Sequence, residues 1–173
     1  MKGSLTQERL KELLDYNSDT GIFTWKESRG GVRAGTAAGC VCWGGSKYKK
    51  KTSGNNKYLS IMLCGSSYKA HRLAFLYVKG YVPVKVDHKD NNGLHNWIDN
   101  LRECDSFQNM YNRGKQRNNT SGYKGVSKFQ GKWRTAITCS GERITKVGFE
   151  TPELAHQWYC EMAHKLHGEF ART

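Results

Sequence analysis

The sequence predicts an α+β chain: a small mixed N-terminal region, a strand, loop, strand and helix unit, then a three-stranded antiparallel sheet packed on one helix. Three observations predict it. Short runs of β-branched and aromatic residues, bounded by Gly, Asn, Asp and Ser, recur along the chain and read as strands. Two stretches, HRLAFLYVKG from His71 and TPELAHQWYCEMAHKLHG from Thr151, carry apolar residues at helical spacing. Between them a polar segment, VDHKDNNGLHNWIDNLRECDSFQNMYN from Val86 to Asn112, follows neither core pattern. The expected divisions are residues 1–70, a compact 71–112 unit, a basic linker at 113–122 and a C-terminal unit at 123–173.

Each element has its own warrant. Ser4 with Gln7 suggests a capping box, and Leu10, Leu13 and Leu14 share one face of a helix ending near Tyr16. Asn17 to Gly21 is a turn, and Ile22 to Trp25 a strand. Tyr58 to Cys64 alternates as a strand, with Gly65 and Ser66 turning it into another through Tyr68. The helix from His71 to Gly80 should bury Leu73, Ala74, Leu76 and Tyr77. Val84 and Val86 begin a strand ending on Asp87 and His88, and Asn100 to Glu103 return beside it. Asp105 or Ser106 caps a helix that turns Phe107, Met110 and Tyr111 inward, with Asn109 on another face. Beyond the linker, Tyr123 to Lys128, Trp133 to Cys139 and Arg143 to Phe149 read as strands, turning at Gln130 with Gly131 and at Ser140 with Gly141. Thr151 caps the last helix with Pro152 at its first position. Leu154, Ala155, Trp158, Tyr159, Met162, Ala163 and Leu166 form its apolar stripe, and Gly168 ends it. Trp133 and Trp158 belong to this core.

The charge balance selects a partner. Lys plus Arg number 28 against 15 Asp plus Glu, a net charge of +13, which favours a polyanion through phosphate contacts and counterion release. No acidic residue occurs from Ser106 to Gly141, whereas seven basic ones lie between Arg113 and Arg134. Lys47, Lys49, Lys50 and Lys51 cluster around Tyr48, either along a nucleic-acid backbone or as a solvated loop. The six cysteines include no C-x-x-C pair, so no structural zinc is expected and the thiols read as reduced ones of a cytosolic protein. No apolar run reaches membrane-spanning length, and no signal-peptide core is evident.

The polar segment carries the chemistry. Asp87 and an amide oxygen are hard oxygen ligands suited to a Mg2+-like ion that completes its shell from water and phosphate. The neutral imidazole of His88 is poised to deprotonate water near neutral pH. Together they describe metal-assisted phosphodiester hydrolysis.

With these residues in place, the segment resembles the HNH, or ββα-metal, nucleases, in particular the phage-borne homing endonucleases. The resemblance rests on Asp87 with His88, Asn100 with Leu101, and the N-x-x-N pair of Asn109 and Asn112. It implies Asp87 and Asn109 as ligands of one Mg2+ or Mn2+ ion per active site, His88 as general base, and Asn100 as the residue holding the His-bearing loop. His71 and Arg72 also precede the motif in the resembling proteins, and Asn112 is a further candidate. A single site implies a monomer that cuts one strand of double-stranded DNA at a time, with a dimer or successive nicks for a double-strand break, in the host cytoplasm. The competing readings are a DNA-binding regulator with an inactive nuclease motif, and a protein directed at RNA.

The C-terminal unit is similar to the ethylene-response-factor type of DNA-binding domain over about residues 120–171. The matching residues are YKGV at Tyr123 to Val126, GKW at Gly131 to Trp133, GERI at Gly141 to Ile144, FETPELA at Phe149 to Ala155, and His167 with Gly168. The resemblance implies a sheet that enters the major groove, with base readout mapped onto Lys124, Arg143 and their neighbours. Ser127, Thr138 and Thr145 stand where that family carries Arg or Trp, so a network of Arg to guanine contacts is not expected. Lys124, Lys128, Lys132, Arg134, Arg143 and Lys146, with Arg113, Lys115 and Arg117 of the linker, are the expected DNA contacts.

Overall fold

The structure, a computed structural model, describes residues 5–43 and 57–173. The lysines around Tyr48 lie outside the described residues. The chain forms a mixed α+β fold in two compact units, Met1–Glu103 and Cys104–Thr173. The boundary falls within the expected 71–112 unit.

In the first unit, helix α1 (Gln7–Leu13) is capped by Thr6, whose hydroxyl accepts from Arg9 N. Ser4 lies outside the described residues, so Thr6 takes the cap from the expected box. The helix is also shorter than expected. Leu14–Tyr16 is strand β1, paired antiparallel with β2 (Phe23–Trp25). A short apolar run cannot by itself separate a helix's last turn from a strand. Leu10 and Leu14 reach the core in either form, so burial was foreseen where conformation was not.

Strands β3 (Cys40–Trp43), β4 (Lys57–Leu63) and β5 (Ser66–Lys69) form one antiparallel sheet with β4 central. Leu63 pairs with Ser66, so the turn is Cys64 with Gly65, one residue earlier than expected. Helix α2 (Ala70–Lys79) follows β5 directly and buries Leu73, Ala74, Phe75 and Leu76. Tyr77 sits at the core's margin, its ring edge-on to Phe23. Leu10, Leu14, Phe23, Ile61, Leu63 and Leu73 are the sealed centre on which α2 rests.

Strand β6 (Val86–His88) pairs antiparallel with β7 (Leu101–Glu103), setting Asp87 opposite Arg102 and His88 opposite Leu101. Val84, 92% exposed, lies outside the strand that its alternation with Val86 suggested. A single turn of 3-10 helix at Ile98–Asn100 closes the intervening loop.

The second unit opens on α3 (Ser106–Tyr111), capped by Asp105, one of the two expected caps, in a capping box with Gln108. Only Tyr111 of its expected inward trio is buried; Phe107 and Met110 are exposed. Strands β8 (Val126–Phe129), β9 (Lys132–Cys139) and β10 (Glu142–Phe149) form an antiparallel sheet with β9 central. Helix α4 (Pro152–His167) crosses one face, capped by Thr151, and Ile137, Tyr159 and Ala163 make the core there. Trp158 packs against that core, whereas Leu154 is exposed at the first turn. Among the described residues no helix is long and apolar enough to cross a membrane.

Candidate functional site

The β6–β7 ladder places a carboxylate and an imidazole side by side under cover: Asp87 and His88 are each 6% exposed. Charge at that depth requires a partner. Arg102, across the ladder, donates from Nε (3.0 Å) and Nη2 (2.9 Å) to the same oxygen, Oδ2 of Asp87. The pair is almost fully buried on both sides.

His88 is held by its own loop. Its Nε2 lies 3.3 Å from Oδ1 of Asn96, which is 1% exposed. Asn96 donates from Nδ2 to Leu94 O at 2.9 Å, which turns its amide oxygen toward the ring. This arrangement assigns the proton to Nε2 and the lone pair to Nδ1 of His88. The ring also packs near Tyr58 (6.1 Å between centroids) and edge-on to His71 (5.1 Å). Burial lowers the His88 pKa from its ordinary value, against the opposing pull of Asn96 and the carboxylates of Asp90 and Asp87. His71 is pushed down to about 3, first by burial and then by the charges of His88, Arg72 and Lys69. Both rings are therefore neutral near pH 7.

The loop between the strands is tied by Asn100. Its Nδ2 donates to Asp90 Oδ1 (3.0 Å) and to His95 O (2.9 Å), and its Oδ1 accepts from Asp90 N (3.2 Å). Asp90 also accepts from Asn92 N at 2.8 Å, and its Oδ2 lies 2.5 Å from Nδ1 of His95. Neighbouring elements press on the same loop. A Cβ on Gly21 would sit 2.2 Å from the backbone of Asn96 and Trp97, and one on Gly93 would sit 2.4 Å from Lys57 O. Glycine alone permits both approaches. Tyr16 donates to Asn96 O and Ile98 N to Ser18 O, so the β1–β2 hairpin clamps the loop from outside.

Comparison with known proteins fits this geometry. A family model described as HNH endonuclease matches residues 68–111, the span that holds Asp87, His88, Asn100 and Asn109. "Protein 3.8" of Escherichia phage T7 is 35% identical over 96 residues, which cover 54% of this chain and 76% of that protein. The chain belongs to the HNH endonuclease family. The "Uncharacterized HNH endonuclease L560" of Acanthamoeba polyphaga mimivirus is 34% identical over 105 residues, 58% of this chain and 54% of that relative. No solved structure matches this chain.

The other expected residues of this HNH protein stand on α2 and on or beside α3. Asn109 is half-buried on α3, in the other unit, and Asn112 is buried at that helix's C-terminal cap. Arg72 donates to Val84 O at 3.3 Å on the surface. His71 does stand at the site, its Nδ1 buried without a hydrogen-bond partner among the described residues. Asn96 and Asp90 were missed by sequence reading. The D-x-N spacing of Asp90 and Asn92 was a legible turn signal, but nothing local marks Asn96 as the partner of His88.

HNH nucleases generally use a divalent metal ion. Among the described residues no group of three or more His, Cys, Asp or Glu could cage one. The Asp87 carboxylate is a donor suited to a hard ion that completes its shell largely from water and phosphate. Arg102 occupies one of the two carboxylate oxygens of Asp87.

In the C-terminal sheet, ladder partners share a face. Thr138 with Arg143, Ala136 with Thr145, and Ser127 with Arg134 and Val147 line the face away from α4. Arg134 donates to Ser127 Oγ at 3.0 Å and lies over the Phe129 ring. Lys132 is exposed and paired with Glu150. The expected contact set divides here. Lys146 is on the α4 side, over the rings of Phe149 and Trp158, and Lys128 lies over Trp133 on that same face. Lys124 is half-buried and donates to the carbonyls of Tyr111 (2.7 Å) and Arg172 (2.8 Å). Burial, with the charge of Arg172, lowers its pKa to about 8. Through those two carbonyls it braces the fold. Arg113, Lys115 and Arg117 are exposed before the sheet, and Lys115 bonds Gly122 O.

Proposed function

We propose that this HNH protein is a metal-dependent endonuclease that hydrolyses phosphodiester bonds of double-stranded DNA. The observation that carries the reading is a buried, neutral His88 whose proton is fixed on Nε2 by Asn96, next in the chain to the buried carboxylate of Asp87. His88 takes a proton from the attacking water through Nδ1. Asp87 and Asn109 would hold the ion, which when bound stabilises the negative charge on the scissile phosphate and the leaving oxygen. Asn100 fixes the loop on which His88 depends, and Arg102 fixes the carboxylate. Mg2+ or Mn2+ fits the oxygen donors.

The basic stretch and the C-terminal sheet supply binding. Arg134, Arg143 and Lys132, with Arg113, Lys115 and Arg117, are the side chains we assign to DNA, mainly to its phosphates. An ethylene-response-factor type of domain and a site-specific homing role are the finer forms of this proposal, resting on the sequence motifs quoted above. One active site makes a monomer that nicks, in the cytoplasm of a virus-infected host.

A second reading, a DNA-binding regulator with an inactive motif, is favoured by one observation: Asp87 already has a cationic partner in Arg102. Plasmid nicking with and without a divalent cation separates the two. The nuclease reading expects metal-dependent nicking that His88→Ala abolishes while DNA binding persists. No nicking by the folded, DNA-bound wild type selects the regulator.

A further inference from the structure

We propose that the Cys42 thiol and the Lys69 amine are joined by peroxide into an oxygen-bridged covalent cross-link, tying β3 to β5 across β4. Nζ of Lys69 lies 2.7 Å from Sγ of Cys42. That is the short limit for an N–H donor on oxygen, and sulfur is the larger atom, so the two are closer than an ordinary N–H···S contact allows. The separation is too long for a direct N–S bond. It is the span of a single bridging oxygen.

The surroundings hold both groups in place. Cys42 pairs with Tyr58 in the sheet, and its sulfur also bonds Tyr58 O at 3.3 Å. Lys69 ends β5 opposite Ser60 of the same central strand, with its ammonium over the Tyr58 ring. Both residues are half-buried. A partly exposed thiol beside a lysine ammonium is the electropositive setting in which peroxide oxidises cysteine selectively. Cys40, exposed on the same strand, provides an internal comparison.

The chemistry balances with two molecules of hydrogen peroxide. The first transfers an oxygen to sulfur: the S–H bond becomes S–O–H and one water leaves. The second accepts the two electrons released when the amine nitrogen bonds the sulfenic oxygen. Its two oxygens leave as two waters, which take up the sulfenic proton and one amine proton. The sum is a four-electron oxidation that makes S–O and N–O bonds, breaks S–H and N–H bonds, and yields three waters.

Because the cross-link involves no group assigned to hydrolysis, it stands apart from the nuclease reading. The test is peptide mass spectrometry of the whole chain after hydrogen peroxide. The expected result is the Cys42 and Lys69 peptides joined, at the sum of their masses plus one oxygen less two hydrogens, and separated again by dithiothreitol. Cys42→Ser or Lys69→Arg should abolish that species, and Cys40→Ser should leave it. Finding Cys42 as a sulfinic or sulfonic acid with Lys69 unmodified overturns the proposal. So does a joined species lacking the extra oxygen, or equal cross-linking through Cys40. The wild-type spectrum decides even if a variant fails to fold.

Discussion

Replacing Asn96 by alanine removes the acceptor that holds His88 while leaving every proposed catalytic group in the chain. The side chain is 1% exposed and spends its two ends on Leu94 O and His88 Nε2. Two consequences follow, and they are separable. A buried ring N–H left without an acceptor should cost about 1–3 kcal/mol of stability, read as a lower denaturant midpoint with unchanged slope. Losing the bond that orients the base should cost about 1.4 kcal/mol of activation free energy, roughly tenfold in the nicking rate. The Asn96 bond raises the His88 pKa against the depression imposed by burial. Its removal must therefore move the acid limb of the pH–rate profile, already below the ordinary histidine value, further toward acid. The assay is single-turnover plasmid nicking across pH, at a temperature where both proteins are folded. If the alanine variant nicks at the wild-type rate with an unmoved acid limb, Asn96 does not hold the base and the tautomer assignment fails.

Asn100→Ala removes three hydrogen bonds within the loop, so the melting transition should drop by about 2–4 kcal/mol of stability, and nicking should fall with it even below the transition. Arg102→Met strands the buried Asp87 carboxylate and should destabilise by about 3–5 kcal/mol; chemical denaturation that leaves its midpoint unmoved refutes the buried pair. His71 titrates at about 3 in the fold against an unfolded value near 6.5. Between those values the unfolded chain binds the extra proton, so stability is complete above the unfolded value and declines as pH falls, by at most about 1.4 kcal/mol per pH unit. His71→Phe should flatten that decline in urea titrations at a series of pH values. Arg134→Ala and Arg143→Ala should each weaken DNA binding and reduce its salt slope by about 1. Lys124→Met should leave that slope unchanged while lowering the melting temperature, and a loss of slope there would return Lys124 to the DNA contacts.

The site was legible where chemistry demands rare residues in fixed order, and illegible where it depends on tertiary approach. Asp87, His88 and Asn100 stand out because a carboxylate, an imidazole and an amide at these intervals serve no packing pattern. Asn96 lies in the same run of polar residues, and only the fold of the loop sets its amide against His88 rather than solvent. The strands of the C-terminal sheet and the caps at Thr151 and Gly168 were readable for a local reason: turn residues and periodicity act within a few positions. The faces of the sheet were not legible. Lys124, Lys128 and Lys146 look alike in sequence to Arg134 and Arg143, yet ladder register sends Lys128 and Lys146 to the α4 side, and the carbonyls of Tyr111 and Arg172 draw Lys124 inward.

The same limit governs Asp87. A carboxylate next to a histidine in a basic protein reads as a metal ligand, whereas Arg102, fifteen positions later, enters only through β6–β7 pairing. A buried ion pair is weak evidence for stability, because desolvation offsets most of its Coulomb energy. Its worth here is geometric. Two N–H groups on one oxygen fix the plane of the carboxylate, and a ligand whose direction is set beforehand loses less entropy when an ion and a phosphate arrive. The guanidinium also adds positive charge beside the place assigned to the phosphate. Arg102 therefore serves the hydrolytic reading and the regulator reading through one contact, and the two part over whether Asp87 keeps an oxygen for a cation once Arg102 has taken Oδ2.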